Sequence, residues 1–242
     1  MKMYTLAFDG TAKVASVAVG DDDRIIALYS IDNGLTQSEL LLPMAEDMLR
    51  SLGLSFSDIG LFATSVGPGS FTGVRIGVSL VKGLAFGRGI PCVGISTLDA
   101  LAENLKGLSG ILVPCMDARR SQVYTAIYSS DGERIEKLTD DMAISISELR
   151  DRLASLGEKD IYLSGDGYDT VKKVFSSLGF ETKNTPKELR LENAASVARI
   201  AYEKYLSGEY TTDTELSPTY LRLPQAERER LERLNEEQGE TK

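Results

Sequence analysis

An α/β fold made of two similar halves is the architecture this sequence predicts, and three observations predict it. The 242-residue chain opens on three short strand-like segments and then alternates helix with strand. After the break Gly107-Leu108-Ser109-Gly110 a second β-rich opening begins, again followed by alternating helix and strand. The helical stretches carry apolar residues along one face, as helices laid on a sheet must.

Residues 4–9 (YTLAFD) are mostly apolar, and 14–19 (VASVAV) alternate small with β-branched side chains. Residues 24–30 follow the turn Gly20-Asp21-Asp22-Asp23. The step Asp9-Gly10-Thr11 between the first two segments is short, which predicts an antiparallel hairpin. A helix is expected over 36–52, where Leu40, Leu41, Met44, Met48 and Leu52 recur at helical spacing. Thr36 or Ser38 would cap it, Pro43 falls in its first turns, where proline is tolerated, and Gly53 ends it. Residues 61–66 read as a buried strand that runs into Gly67-Pro68-Gly69-Ser70 and breaks into a helix over 71–87. A strand over 90–95 and a helix over 98–106, capped by Ser96 or Thr97, complete the half.

The second half gives strands over 111–116 and 122–128 and a weak third over 134–138. A helix then runs from Ser145 or Ser147 to Leu156, followed by a strand over 160–164, the turn Gly165-Asp166-Gly167, and helices over 168–178 and 193–206. Duplicated units of this kind build the two-domain actin-like (ASKHA, ribonuclease H-like) fold, with a cleft between the domains. The expected division is 1–107, 108–223 and a charged tail over 224–242, read as a solvated helix with a frayed end or as disordered.

Composition narrows function. With 36 acidic residues against 27 Lys and Arg, the formal charge is −9, which argues against nucleic-acid binding by this chain alone. Histidine is absent, which removes His-containing zinc or iron sites, a His general base and the H-E-x-x-H chemistry of a metalloprotease. Cys92 and Cys115 lie in apolar runs and read as buried thiols rather than a disulfide. The opening MKMYTLAFDG is too short an apolar run for a signal peptide, and no stretch is long enough to span a membrane, so a cytoplasmic protein is expected.

Two segments carry chemistry or contact. The Gly-Pro-Gly-Ser loop with Gly69 and Ser70 leads into a helix and either presents N–H groups to an anion or is a tight strand-to-helix turn; it lacks P-loop spacing. The helix after it holds Gly73, Gly77, Gly83 and Gly87, each costing about 1 kcal/mol relative to Ala. Close backbone approach is the compensating reason, either to the chain's own sheet or to a partner helix met by Val74, Val78, Val81, Leu84 and Ala85.

Residues 65–102, SVGPGSFTGVRIGVSLVKGLAFGRGIPCVGISTLDALA, resemble the signature of the TsaB family of tRNA threonylcarbamoyladenosine biosynthesis proteins. QSELLLP from Gln37, DARRSQVY from Asp117, the Gly165-Asp166-Gly167 turn and PTYLR from Pro218 match further landmarks of that family. Gln37 stands where the family often carries His, and Gly10 where it often carries Thr. The resemblance implies a non-catalytic subunit that activates TsaD, the catalytic subunit, in a heterodimer joined by the small ATPase TsaE. It reaches tRNA only through that complex and has a homodimer as its alternative assembly. It also implies docking through the first two helices, by Gln37, Leu41, Met44, Met48, Gly73, Val74, Gly77, Val78 and Val81. No cofactor is expected on the chain alone, and ATP or ADP belongs at the interface of the complex. Asp9, Thr11, Gly69, Ser70, Arg119 and Arg120 are the candidate nucleotide or interface contacts. The competing reading is an autonomous actin-like ATPase or kinase. It needs two glycine-rich phosphate hairpins, and Asp117-Ala118-Arg119-Arg120 has no glycine where the second should be.

Overall fold

The computed structural model describes residues 3–157 and 159–222, so the expected tail over 224–242 lies outside the described residues. Three strands open the chain: β1 (Tyr4–Asp9), β2 (Ala15–Asp21) and β3 (Arg24–Ile31). Helix α1 (Gln37–Leu52) follows, then β4 (Ile59–Gly67), α2 (Phe71–Ala85), β5 (Cys92–Ser96) and α3 (Thr97–Glu103). The first sheet has the order β3-β2-β1-β4-β5, with β1–β2 and β2–β3 antiparallel and β1–β4 and β4–β5 parallel. Two of the caps, at Thr36 and Ser96, are among those expected, and Ser70 is an additional one. Thr36 and Glu39 form a capping box on α1, Gly53 closes it in a left-handed conformation, Ser70 caps α2 and Ser96 caps α3.

The second half holds β6 (Ser109–Asp117), β7 (Gln122–Thr125), β8 (Tyr128–Asp131), β9 (Ile135–Lys137) and β10 (Met142–Ser145). It continues through α4 (Ile146–Ala154), β11 (Ile161–Ser164), α5 (Tyr168–Ser177) and α6 (Ala194–Leu206). The single strand expected over 122–128 is divided at Ala126 and Ile127. Its two parts keep one antiparallel register on β6, with Cys115 opposite Thr125 and Leu112 opposite Tyr128. Two residues are too few to carry the chain around β6, so β7 and β8 lie along the same edge. The strand β11 pairs in parallel with the other edge of β6, as β4 does with β1. Each half is therefore an antiparallel opening joined to a parallel strand through a helix, the duplicated unit of the actin-like fold.

Alternation along β1 explains the layers. Leu6 and Phe8 face α1 and α2 in one core, with Met44, Met48, Val74 and Val78, while Ala7 faces the opposite side. On that opposite face the alanines Ala7, Ala63 and Ala18 stand among larger residues, Leu61, Val93 and Ile95, and admit the small face of α6, Ala194, Ala198 and Ala201. Thus α6 packs on the first sheet although it follows the second in the chain. Leu98, Leu101 and Leu105 of the α3 region pack with Leu112, Met116 and Tyr128, so this segment sits between the two sheets. On the far side of the second sheet, α4 and α5 bury Leu149, Leu153, Val171 and Phe175. Each such fully buried side chain is worth about 2 kcal/mol in transfer free energy. Cys92 and Cys115 are free and buried, and burial pushes their thiols up to about 11 and about 12.

Candidate functional site: the cleft and the α2 face

The carboxyl-side ends of β1, β4 and β6 meet at a cleft of about 650 Å³. Its walls include Thr11, Lys13, Gly69 and Ser70 from the first half and Asp117, Arg119, Tyr124 and Asp166 from the second. A C-terminal strap brings Tyr220 and Arg222 across it. Three cations and the rings of Phe71, Tyr124 and Tyr220 thus line one opening with two carboxylates.

Asp9, expected at this cleft, points inward. It is fully buried and accepts from the Thr11 amide at 2.9 Å, the Thr11 hydroxyl at 2.7 Å and the Ser65 hydroxyl at 2.5 Å. Burial raises its pKa, against those hydrogen bonds, which lower it. Asp9 therefore ties β1 to β4 and turns the hairpin. Thr11, Gly69 and Ser70 do line the cleft, but the Ser70 amide donates to the Thr11 carbonyl at 2.7 Å and the Ser70 hydroxyl accepts from the Gly73 amide. Arg119 reaches the cleft with an ion pair to Asp117 at 3.4 Å, whereas Arg120 is exposed and is not part of its wall.

The loop that replaces the second phosphate hairpin is strained. Arg119, Arg120 and Ser121 hold φ values of 64°, 54° and 57°, a conformation that costs roughly 1–2 kcal/mol for each non-glycine residue. The Asp117 carboxylate accepts from the Arg119 amide at 2.8 Å, and the Arg119 carbonyl from the Gln122 amide at 3.1 Å, which hold the loop in place. Asp166 accepts from the Asp117 amide at 2.9 Å. Its pKa is raised by burial first and by the Asp117 charge, with that hydrogen bond, Lys13 and Arg119 pulling the other way. Behind the cleft lies Glu192, 3% exposed, with neither carboxylate oxygen bonded to another described residue. Burial, then the charges of Asp9 and Asp166, push it up to about 8.

The expected docking residues need correction. Leu41, Met44, Met48, Val74, Val78 and Val81 are all buried in the chain's own core. A Cβ at Gly73 would overlap the Gly10 carbonyl oxygen, and one at Gly77 would lie 2.7 Å from the Thr64 hydroxyl oxygen. The apolar face of both helices and two of the four glycines are used against the chain's own sheet and hairpin. Gln37 is 9% exposed, and its side-chain amide donates to the Ala12 carbonyl at 2.8 Å, fixing the loop after the hairpin. Ile76, Leu80 and Leu84 are half-buried at the margin of the same core; what stays open is the far end of α2, where Phe86 just beyond the helix is 76% exposed and a Cβ at Gly83 would meet nothing within 4 Å.

The strap, residues 211–222, is pinned along another side of α2 by named contacts. Lys82 donates to the Thr214 and Leu216 carbonyls at 3.0 and 2.9 Å, and the Thr219 amide donates to the Val66 carbonyl at 2.8 Å. Tyr220 stacks on Phe71 at 4.9 Å, and Arg75 lies over the Phe71 ring while donating to the Tyr220 hydroxyl at 2.8 Å. Arg75→Ala removes the hydrogen bond to Tyr220 and the cation over the Phe71 ring on which Tyr220 stacks, and is expected to speed exchange of the Thr219 amide about tenfold. Hydrogen–deuterium exchange measures this, and an unchanged rate would mean that the strap does not depend on Arg75. Lys13, Tyr124, Tyr220 and Arg222 were not singled out by sequence. The PTYLR and Gly165-Asp166-Gly167 segments were visible as landmarks, but no spacing places them at a cleft.

Comparisons with known proteins agree with the fold. A family model described as TsaD, tRNA N6-adenosine threonylcarbamoyltransferase, matches residues 36–230. The tRNA threonylcarbamoyladenosine biosynthesis protein TsaB of Bacillus subtilis is 31% identical, over 93% of this chain and 96% of its own. The TsaB protein of Escherichia coli is 30% identical, over 91% and 95%. Among solved structures, a Pseudomonas aeruginosa protein described as similar to peptidase YeaZ superposes with a TM-score of 0.75 at 25% identity, covering 91% of this chain and 100% of that one.

Proposed function

The chain belongs to the TsaB family and is a protein of tRNA threonylcarbamoyladenosine biosynthesis, and from that premise we propose that it is a non-catalytic activator that docks on TsaD. The observation that carries the reading is the open far end of α2, where Phe86 is 76% exposed and half-buried Leu80 and Leu84 flank Gly83. Open space over Gly83 lets a partner helix approach the backbone there. The match to the TsaD model means that the proposed partner shares this chain's architecture, so two related domains would pair through corresponding helices. TsaE joins as the third member, and tRNA is reached through the complex, in keeping with the net charge of −9.

Catalysis by this chain alone is disfavoured by the inward turn of Asp9 and by the strained loop in place of a second phosphate hairpin. We assign the cleft cations Lys13, Arg119 and Arg222 to an adenine nucleotide, ATP or ADP, held only once TsaD completes the site. Calorimetric titration with ADP is expected to give heat with the complex and none with the free chain; heat with the free chain would overturn the assignment.

Gly83→Trp tests the docking. Tryptophan there faces solvent in the free chain and replaces a helix-interior glycine, so the fold should be unchanged or stabilised by up to about 1 kcal/mol. Size exclusion with light scattering is expected to give a one-to-one heterodimer of TsaD with the unmodified chain and none with G83W. A heterodimer that forms equally well with G83W would place the contact elsewhere.

A further inference from the structure

In the second half, Arg119, Arg150, Arg152 and Lys183 each lie against a carboxylate, and Lys137 against two. Lys172 and Arg190 are held differently. Both converge on the side-chain oxygen of Asn184, Lys172 Nζ at 3.2 Å and Arg190 Nη2 at 3.3 Å, and the Tyr168 hydroxyl donates to the same oxygen at 3.3 Å. An amide oxygen has two lone pairs, so three donors oversubscribe it, and all three distances exceed the usual range of about 2.7–3.0 Å. Neither cation has a carboxylate as ion-pair partner among the described residues.

The pair is fixed in place. The Arg190 guanidinium lies over the Tyr168 ring at 4.0 Å and donates through Nε and Nη2 to the Thr185 carbonyl at 2.8 and 2.6 Å. Lys172 Nζ donates to the Tyr168 hydroxyl at 3.0 Å, and Tyr168, at the start of α5, is 4% exposed. Both N–H groups of Arg190 Nη1 and one of Lys172 Nζ then have no acceptor among the described residues. Two positive charges and three unspent donors around one neutral oxygen call for an anion. Asp166 and Thr170 line the cleft, but Lys172, Asn184 and Arg190 stand outside its walls, so this is a separate site.

We propose that Lys172 and Arg190 form a phosphate-binding site, filled by an RNA backbone phosphate or by a free phosphate compound. Phosphate oxygens can accept from the guanidinium edge and the ammonium at once, which relieves the crowded Asn184 oxygen. The RNA source rests on the reading of this chain as a partner of TsaD in tRNA modification; the site itself does not. One phosphate contact inside a complex is compatible with the net charge of −9, which opposes RNA binding by the chain alone.

Two titrations test the proposal. In the first, inorganic phosphate is added to the free full chain, and the Arg190 Nε–H resonance is expected to shift and saturate. K172Q is expected to abolish the shift and K172R to keep it. In the second, tRNA binding by the chain together with TsaD is measured over a salt series. K172Q is expected to weaken it about tenfold and to make the dependence of log K on log salt shallower by about one. Circular dichroism melts check that both variants fold. Effects in the second titration assign the site to RNA, and effects in the first alone assign it to a free phosphate compound. A chain that shows neither, or a shift that K172Q leaves unchanged without any effect on tRNA, would overturn the proposal. If no complex with TsaD forms, the first titration still decides this site, so the two readings fail separately.

Discussion

Gly73→Ala is expected to destabilise the chain by about 3 kcal/mol, despite a gain of about 1 kcal/mol in helix propensity. The added methyl would overlap the carbonyl oxygen of Gly10, a backbone atom that cannot swing aside as a side chain would. Gly10 is itself held between Asp9 and Thr11, whose mutual hydrogen bonds and the Asp9–Ser65 bond fix the turn. Relief requires α2 to move away from β1, opening the core around Val74 and Phe8. Gly83→Ala is the control: nothing lies within 4 Å of its Cβ, so it should stabilise by a few tenths to about 1 kcal/mol. Urea unfolding of both variants measures the contrast. Equal stabilities would mean that α2 does not rest on the hairpin.

Glu192→Gln is expected to change how stability depends on pH. The folded chain holds the Glu192 proton with a pKa of about 8, against an ordinary 4.5, because the carboxyl is buried beside Asp9 and Asp166. The stability linked to that proton is present in full below about pH 4.5 and is lost as pH rises through about 8. The amide carries no such linkage. Relative to the unmodified chain, E192Q should therefore gain stability between about pH 5 and pH 8, by a ceiling on the order of 4 kcal/mol. Burial also raises Asp9 and Asp166, and the difference between the two curves reads Glu192 together with its coupling to them. Urea unfolding at the two pH values reads it, and parallel curves would contradict a buried, unpaired carboxyl.

The fold was legible in the sequence because its elements are local. Helical periodicity marked α1, Thr36 and Ser96 were among the caps expected for α1 and α3, and the glycine breaks separated the strands. The division of the strand at Ala126 was not legible, since QVYTAIY is a uniform β-forming run and the interruption comes from its pairing on β6. The destination of α6 was also hidden. Its small face suits any alanine-rich surface, and only the packed structure sets it on Ala7 and Ala63.

The expected docking side chains of α2 turn out to be covered by the chain itself. Periodicity finds an apolar face, and Val74, Val78 and Val81 form one, but it does not say whether the chain or a partner covers it. The glycines carried the same ambiguity: Gly73 and Gly77 serve the chain's own hairpin and strand, while Gly83 faces open space. Exposure separates them, and exposure is a property of tertiary structure. Cleft residues such as Tyr124, Tyr220 and Arg222 come together from points roughly a hundred residues apart, which no local spacing encodes.

The most direct test of the activator reading is reconstituted tRNA modification with purified TsaD, TsaE and the threonylcarbamoyl donor, with this chain present, absent or alone. The account predicts modification when TsaD and this chain are together, little with TsaD alone, none with this chain alone, and loss of the stimulation with G83W. Modification by this chain without TsaD, or a rate with TsaD that its addition leaves unchanged, would contradict it.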